Sequence, residues 1–215
     1  MESGDNICEA INNDNLQEIK RILLNDDTDV SLALQNAVRV INLEIVNMLL
    51  ESPRIDPAAH SNAAIQIACV ESTPEIVARL LADSRTDPSV DENCAIQHAV
   101  SFGNEKIVEI LLADSRVDAS VNNSVTVQSA AAKGYTKILC MLLARKDIDP
   151  AADHNAAIQY ASSLGQTDAV ELLLADPRVN PAADGNKALR LAIMHNNKSV
   201  VNLLMADSRV ESTIN

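Results

Sequence analysis

The stretch SVDENCAIQHAVSFGNEKIVEILLADSRVDA, residues 89–119, decides the fold of this chain. Apolar side chains recur in it at the three- and four-residue spacing of a helix, first before Gly103 and again after Asn104. They are Ala95, Ile96, Ala99 and Val100 in the first run, and Ile107, Val108, Ile110, Leu111 and Leu112 in the second. Phe102 and Gly103 break the first helix, because glycine commonly follows a helix end. The stretch therefore predicts two short helices, a tight turn between them and an extended polar connector.

The same pattern recurs every 31 residues through almost the whole chain, which is the signature of a repeat protein. The second helix ends at Leu50, Leu81, Leu112, Leu143, Leu174 and Met205, and the first helix carries Ala37, Ala68, Ala99, Ala130, Ala161 and Ala192. Six units are in register, and an atypical first unit with a shorter connector precedes them. We predict one domain, 1–215, of about seven repeats with the bounds 1–30, 31–57, 58–88, 89–119, 120–150, 151–181 and 182–212.

Helices this short need neighbours, since isolated helices below about 12–15 residues are marginal in water. Stacking solves this problem, because each unit then buries its apolar side against the next. The constant alanines let adjacent units approach closely, and isoleucine and leucine fill the space between them. The composition agrees, because only Phe102, Tyr135 and Tyr160 are aromatic and 47% of the residues are hydrophobic. Such a composition favours close packing of helices around small side chains over a large sheet.

A frame of five positions carries a resemblance to a known family. The frame A-x-x-x-G-(x)4-V-(x)2-LL stands as Ala99, Gly103, Val108, Leu111 and Leu112, and it returns as Ala161, Gly165, Val170, Leu173 and Leu174. In this frame the unit resembles the ankyrin repeat, although ankyrin repeats have a period of about 33 and carry Thr-Pro-Leu-His where this unit has Cys-Ala-Ile-Gln at 94–97. The connector resembles those of ankyrin arrays from amoebae and large DNA viruses. The resemblance implies an all-α, ankyrin-type helix-turn-helix solenoid with short extended connectors, whose first helices line a concave groove.

Three polar columns stay constant from repeat to repeat and therefore predict structural roles. Asparagine suits a helix N-cap through its side-chain oxygen at Asn62, Asn93, Asn155 and Asn186. We expect a second column to hydrogen-bond a neighbouring connector: Gln35, Gln66, Gln97, Gln128 and Gln159, followed by Arg190. The third column lies among connector aspartates and predicts an ion-pair ladder: Arg54, Arg85, Arg116, Arg178 and Arg209. Exposed pairs of this kind each add about 0–1 kcal/mol. Ligand binding by the glutamines and anion binding by the arginines are the alternatives.

The charge and the cysteines of the chain exclude several kinds of function. A formal net charge of −13 and an isoelectric point near 4.6 oppose binding to nucleic acid or to anionic membrane surfaces. The acidic N-terminus and the absence of a long apolar run predict a soluble protein that is not exported. Cys8, Cys69, Cys94 and Cys140 are too widely spaced for a zinc site or a disulfide framework. They indicate reduced thiols and an intracellular, cytoplasmic location.

Catalysis is disfavoured by the placement of the reactive residue types. The histidines occupy different columns, and no nucleophile-elbow, P-loop or dinucleotide motif is present. Cys94 and His98 lie four residues apart on one predicted helix, so a nucleophile pair is the alternative to chance spacing. We predict no catalytic residue, no metal site and no cofactor, and we expect the chain not to be an enzyme.

Function is expected where the sequence varies between repeats, since one scaffold then carries many specificities. Three first-helix columns vary, and their spacing places them on one side of the helix, opposite the core stripe. The predicted partner-binding residues are His98, Ser101, Phe102, Lys133, Tyr160, Leu164, Met194 and His195, with Asp91 and Asp153 at the connector tips as an acidic rim. These columns predict a protein–protein interaction module that binds a basic or neutral protein partner through the concave first-helix and connector face.

Other functions and assemblies stay open at this point. The chain is alternatively an adaptor or a pathogen or viral effector that recruits host machinery, and more remotely a small-molecule-binding or enzymatic protein. The apolar residues of the variable columns alternatively shield the gap between repeats. Because the last helix leaves Val201, Leu204 and Met205 as candidates for exposure, we predict a monomer or a weak end-to-end dimer.

Overall fold

The computed structural model describes residues 3–25, 27–71, 73–118 and 123–211, and the regular structure in these ranges is helical. The helices are α1 (Ser3–Asn12), α2 (Leu16–Leu23), α3 (Ala33–Arg39), α4 (Leu43–Glu51), α5 (Ala59–Val70), α6 (Pro74–Leu81), α7 (Val90–Ser101), α8 (Glu105–Ala113), α9 (Asn123–Lys133), α10 (Thr136–Leu143), α11 (Ala152–Ser163), α12 (Thr167–Ala175), α13 (Ala183–Met194), α14 (Lys198–Met205) and α15 (Ser208–Glu211). They divide into two compact units, Met1–Val117 and Asp118–Asn215. The predicted boundary between the fourth and fifth repeats, at 119/120, lies outside the described residues.

Consecutive helices form pairs in both compact units. In the first unit, α1 packs on α2, α3 on α4, α5 on α6 and α7 on α8. The first helices α1, α3, α5 and α7 also contact one another in that order, and so do the second helices α4, α6 and α8. The second unit repeats this arrangement with α9, α11 and α13 in one layer and α10, α12 and α14 in the other. The predicted all-α, ankyrin-type helix-turn-helix solenoid is therefore confirmed. None of the described helices is long and apolar enough to cross a membrane.

The constant alanine column lies at the centre of this packing. All six of its members have 0% exposure: Ala37, Ala68, Ala99, Ala130, Ala161 and Ala192. Isoleucine and leucine side chains of the second helices, such as Ile107 and Leu111, are buried to the same extent. A larger side chain at an alanine position would overpack this core, which typically costs about 1–3 kcal/mol. The small residue thus sets how closely the helices approach.

The turn inside each helix pair requires a left-handed backbone. Gly103, Gly134 and Gly165 have φ angles of 72°, 68° and 72°, which glycine adopts without steric cost. A Cβ on Gly165 would also lie only 2.8 Å from the Oδ1 atom of Asn197. Ile41 occupies the equivalent turn position of the second repeat with a φ of 55°, which is unusual for a β-branched residue. The predicted end of the first helix at Phe102-Gly103 is confirmed.

The connectors enter the first helices through a left-handed turn that differs from the predicted N-cap. Three consecutive residues have positive φ angles in each of four repeats: 60–62, 91–93, 153–155 and 184–186. The prediction of N-caps at the asparagine column is wrong, because these asparagines are the third and buried residues of those turns. The Oδ1 atom of Asn62 accepts a hydrogen bond from the backbone N–H of Asp87 at 2.8 Å. Asn155 accepts one from the backbone N–H of Asn180 at 2.6 Å. Both asparagines thus join the turn of one repeat to the connector of the next.

The arginine column bonds the backbone of the preceding repeat as well as the connector aspartates. The Nη1 atom of Arg116 donates to the Thr86 carbonyl and its Nη2 atom to the Leu81 carbonyl, both at 2.7 Å. The same guanidinium donates to both carboxylate oxygens of Asp114, which fixes its orientation. We call this arrangement the arginine clip, and it recurs at Arg85, Arg178 and Arg209. The predicted ion pairs are present at Arg85, Arg116, Arg178 and Arg209, and each orients a guanidinium that holds two repeats together.

The last helix pair is only partly closed by its own side chains. Met205 is 54% exposed, Ile193 is exposed and Val201 is half-buried. The expected exposure of Leu204 is wrong, because this side chain is fully buried, like Leu173 at the same place in the preceding repeat. The exposed apolar surface of the last repeat is therefore smaller than the sequence predicts.

Candidate functional site

In the first unit, the predicted partner-binding residues lie on the surface of the last helix pair. Phe102 directly follows α7 and is 55% exposed, while His98 and Ser101 on α7 are half-buried. Asp91 is exposed in the left-handed turn before them. The first unit thus presents one aromatic ring next to a helix of mixed polarity.

The second unit exposes the larger apolar members of the variable columns. Tyr160 is 51% exposed, Leu164 59% and Met194 68%. The polar and charged members of the predicted site in this unit are also exposed: Lys133, Asp153 and His195. Aromatic and methionine side chains are enriched in protein interfaces relative to the remaining surface. This unit therefore carries the richer set of candidate contacts.

Tyr160 lines a cavity of about 490 Å³ within the second unit. We call it the Tyr160 cavity, and its lining residues are Gln128, Asp153, Ala156, Gln159, Tyr160, Ser163, Lys187 and Leu191. Binding pockets for small molecules and inserted groups typically measure roughly 300–1,000 Å³. The structure brings Tyr160 and Asp153 together here. The other predicted residues of the second unit, which are Lys133, Leu164, Met194 and His195, do not line the cavity.

Two constant glutamines fix the walls of the Tyr160 cavity. The Nε2 atom of Gln128 donates to Asp153 Oδ2 at 2.8 Å, in the connector of the next repeat. The Nε2 atom of Gln159 donates to the His154 carbonyl of its own left-handed turn at 2.6 Å. The expected hydrogen bond from this column to a neighbouring connector is confirmed at Gln66, Gln128 and Gln159, and the bond to the repeat's own turn adds to it. Hydrogen bonds thus hold three of the lining residues, Gln128, Asp153 and Gln159.

The net charge of the chain is unevenly divided between the two units. Residues 1–117 hold 20 acidic and 8 basic side chains, whereas residues 118–215 hold 10 and 9, so the formal net charges are −12 and −1. The Tyr160 cavity itself contains one residue of each sign, Asp153 and Lys187. The formal net charge of −13 for the whole chain therefore reflects the first unit and not the surroundings of this cavity.

Sequence reasoning missed Lys187, although a signal for it existed. Lys187 stands in a column where other repeats carry the uncharged Ala63, Cys94, Val125 and Ala156. Its column is not one of the three variable columns that predict the binding residues. A single charged residue in an otherwise small or apolar column would have marked the position.

The neighbouring thiol and imidazole in α7 are poorly suited to nucleophilic chemistry. Cys94 Sγ lies 3.5 Å from His98 Nε2, so the pair that the spacing allows is present. Burial and the charge of Asp91 nevertheless raise the pKa of the Cys94 thiol, which disfavours the reactive thiolate. Burial also raises the pKa of Cys69 to about 12. Across the described ranges, no group of three or more histidine, cysteine, aspartate or glutamate residues is arranged to hold a metal ion.

Comparison with known proteins identifies a family and solved structures of similar fold. The model of the family "Ankyrin repeats (3 copies)" matches residues 34–124 and 127–214. The crystal structure of the ankyrin repeat domain of Bcl-3, described as a unique member of the IkappaB protein family, is similar with a TM-score of 0.74 at 18% identity, over 94% of this chain and 98% of that chain. The search of curated proteins found no match. Ankyrin repeats are non-catalytic scaffolds that mediate protein–protein interactions. Since the family model covers well over half of its residues, the chain belongs to the ankyrin repeat family.

Proposed function

We propose that this protein is an interaction module that binds a partner protein through the first helices and connectors of its repeats, and that it has no catalytic activity. The observation that carries the proposal is the Tyr160 cavity, together with the exposure of Leu164 and Met194 at variable positions of the same unit. Constant columns hold the helices together and leave these variable positions at the surface. The variable positions can therefore differ between repeats without disturbing the packing that the constant columns maintain.

The chemistry of the exposed residues supports this reading over shielding of the gaps between repeats. A side chain that only shields a gap is expected to be mostly covered, whereas Tyr160, Leu164 and Met194 each expose more than half of their surface. Binding energy in protein interfaces concentrates in a few such anchors, and tyrosine is among the most frequent of them. The rigid walls of the cavity lower the entropy cost of binding.

The partner is a protein, and for the first unit we propose a basic or neutral one. The formal charge of −12 on that unit attracts cationic surfaces and repels phosphate backbones and anionic membranes. Nucleic acid and membrane surfaces are therefore not proposed as partners. A cytoplasmic location fits widely spaced cysteines that remain as thiols.

Capture of the partner from the native cells tests the proposal. The bait is the full chain, and mass spectrometry identifies the bound proteins. The double substitution Tyr160→Ala and Leu164→Ala should remove a partner that the wild type captures reproducibly, because it removes two apolar anchors. Met205→Ala is the matched control, since Met205 is similarly exposed, at 54%, but lies at the end of the second helix α14. Partner retention by the double variant, with unchanged circular dichroism, would show that this site assignment is wrong.

We also propose that the chain is a monomer or a weak end-to-end dimer. Ile193 and Val201 line a cavity of about 320 Å³ at the last helix pair, and Met205 of the same pair is exposed. Light scattering over a range of concentrations should show either no association or a slight rise in mass. Ile193→Ser should suppress any rise, whereas a strong dimer that survives this substitution would contradict the assignment.

A further inference from the structure

We propose that the Tyr160 cavity receives an apolar side chain of the partner together with an adjacent carboxylate, so that the segment bound here is acidic and apolar. This inference rests on the proposed function and names the chemistry of the group that enters the cavity. It differs from the expectation of a basic partner, which the charge of the first unit supports but the cavity does not.

The apolar part of the recognition comes from three side chains of the cavity wall. Tyr160 is half exposed, Leu191 is half-buried and Ala156 is nearly buried. An aromatic ring beside an aliphatic side chain favours insertion of a leucine-sized or aromatic group, which would displace water from apolar surface. The volume of about 490 Å³ leaves room for a second group beside the inserted one.

The two charged residues of the cavity are in different states of hydrogen bonding. The Asp153 carboxylate already accepts a hydrogen bond from Gln128 Nε2 at 2.8 Å. The ammonium group of Lys187 has no hydrogen bond or ion pair with any residue that the structure describes. A partner that covers the cavity removes water from this ammonium, and burying an unpaired charge is unfavourable. A carboxylate of the partner, next to the inserted side chain, would pair with Lys187 and offset this cost.

The surroundings of the cavity do not oppose an anionic segment. The second unit has a formal net charge of only −1, compared with −12 for the first. Lys133 and Arg190 are exposed cations of this unit, but neither lines the cavity. Asp184 lies outside the cavity lining and contacts Gln159 and His154. The preference for a carboxylate therefore rests on hydrogen bonding within the cavity, where Asp153 already has a partner and Lys187 has none in the described part of the chain.

A displayed library of random peptides, selected on the full chain, tests the inference. Selected peptides whose binding requires Tyr160 should be enriched in aspartate or glutamate next to leucine or an aromatic residue. Lys187→Gln should weaken the binding of such a peptide about tenfold or more, as expected for a desolvated charge pair. Lys198→Gln is the matched control, because Lys198 is an exposed lysine of the same unit that does not line the cavity, and it should leave the affinity unchanged. Asp153→Asn should strengthen the binding of such a peptide, because it removes the negative charge that lies in the same cavity as the incoming carboxylate.

The outcomes separate this inference from the proposed function. Basic peptides that lose affinity with Asp153→Asn and keep it with Lys187→Gln would overturn the inference and leave the proposed function standing. Binding that needs Tyr160 but ignores both charge substitutions would also overturn it. A library that yields no peptide dependent on Tyr160, together with partner capture that ignores this residue, would contradict the proposed function itself.

Discussion

Removal of one arginine clip should destabilise the first unit more than loss of its ion pair does. In Arg116→Ala, the carbonyls of Thr86 and Leu81 lose charge-assisted hydrogen bonds, both of 2.7 Å. Hydrogen bonds to charged groups contribute about 1.5–3 kcal/mol each. Because the arginine side chain is 34% exposed, water replaces part of that interaction, and we expect a total loss of about 2 kcal/mol. For a chain of this size, 1 kcal/mol shifts the melting temperature by about 2–4 °C, so a decrease of about 4–8 °C is expected.

Urea and thermal unfolding, followed by circular dichroism, measure this effect against two matched variants. Asp114→Asn keeps the guanidinium and should cost about 0–1 kcal/mol, as a partly exposed ion pair does. Arg116→Lys should recover little stability, because a single ammonium group cannot bond both carbonyls in the geometry of the planar guanidinium. Equal losses for Arg116→Ala and Asp114→Asn, both disappearing in high salt, would refute the clip and restore the simple ladder of surface ion pairs.

Three further predictions concern buried hydroxyls, a turn glycine and pH. Thr86 and Ser162 bury hydroxyl oxygens that lack a hydrogen-bond partner within the described part of the chain, so Thr86→Val and Ser162→Ala should each raise stability to urea by about 1 kcal/mol; a lower unfolding midpoint would contradict this. Gly165→Ala should lower stability by about 1–2 kcal/mol, given its φ of 72° and the Oδ1 of Asn197 at 2.8 Å from the new Cβ, and a variant that melts like the wild type would disprove the strain. Hydrogen bonds from arginine lower the pKa of Asp114 and of the equivalent aspartates in the other clips. The stability that these carboxylates give to the folded protein is therefore present above the ordinary pKa of 3.8 and is lost as the pH falls through the lowered pKa. On acid titration, the Asp114→Asn variant should lose less stability than the wild type does. An identical pH profile for the two proteins would exclude this contribution.

The fold was predictable because its signal is repeated and local. A period of 31 with alanine and leucine at fixed places requires only that apolar side chains face a neighbour, and Ala99 and Leu111 are fully buried as expected. The left-handed turns were not predictable, because three successive positive φ angles contradict the ordinary preference of L-residues such as Asp91 and Glu92. The clip of Arg116 was not predicted, because every residue has a backbone carbonyl and the sequence does not show which of them the guanidinium reaches. Lys187 was not predicted because it lies outside the three variable columns, although its charge sets it apart from the small or apolar residues of its column in other repeats.

The left-handed turns explain why the polar columns are constant. A non-glycine residue in this conformation costs about 1–2 kcal/mol, so three in succession persist only where other contacts offset the cost. The constant side chains supply those contacts, because Gln97 Nε2 donates to the Glu92 carbonyl at 2.7 Å and Arg190 Nη1 to the Gly185 carbonyl at 2.6 Å. Asn62 adds the bond to the next connector.

Rigid turns also connect the constant columns to recognition. Each turn sets the direction in which the first helix leaves the connector, and that direction decides where the variable side chains of the helix lie. In the second unit, Gln159 fixes the turn that contains Asp153, and both residues line the cavity beside Tyr160. A partner that enters this cavity meets walls that are already in place, so its binding does not have to order them. Gln159→Ala should therefore weaken partner binding even though its side-chain amide bonds the protein's own backbone. An unchanged affinity, measured with the same partner or selected peptide, would show that the turn contributes to stability alone.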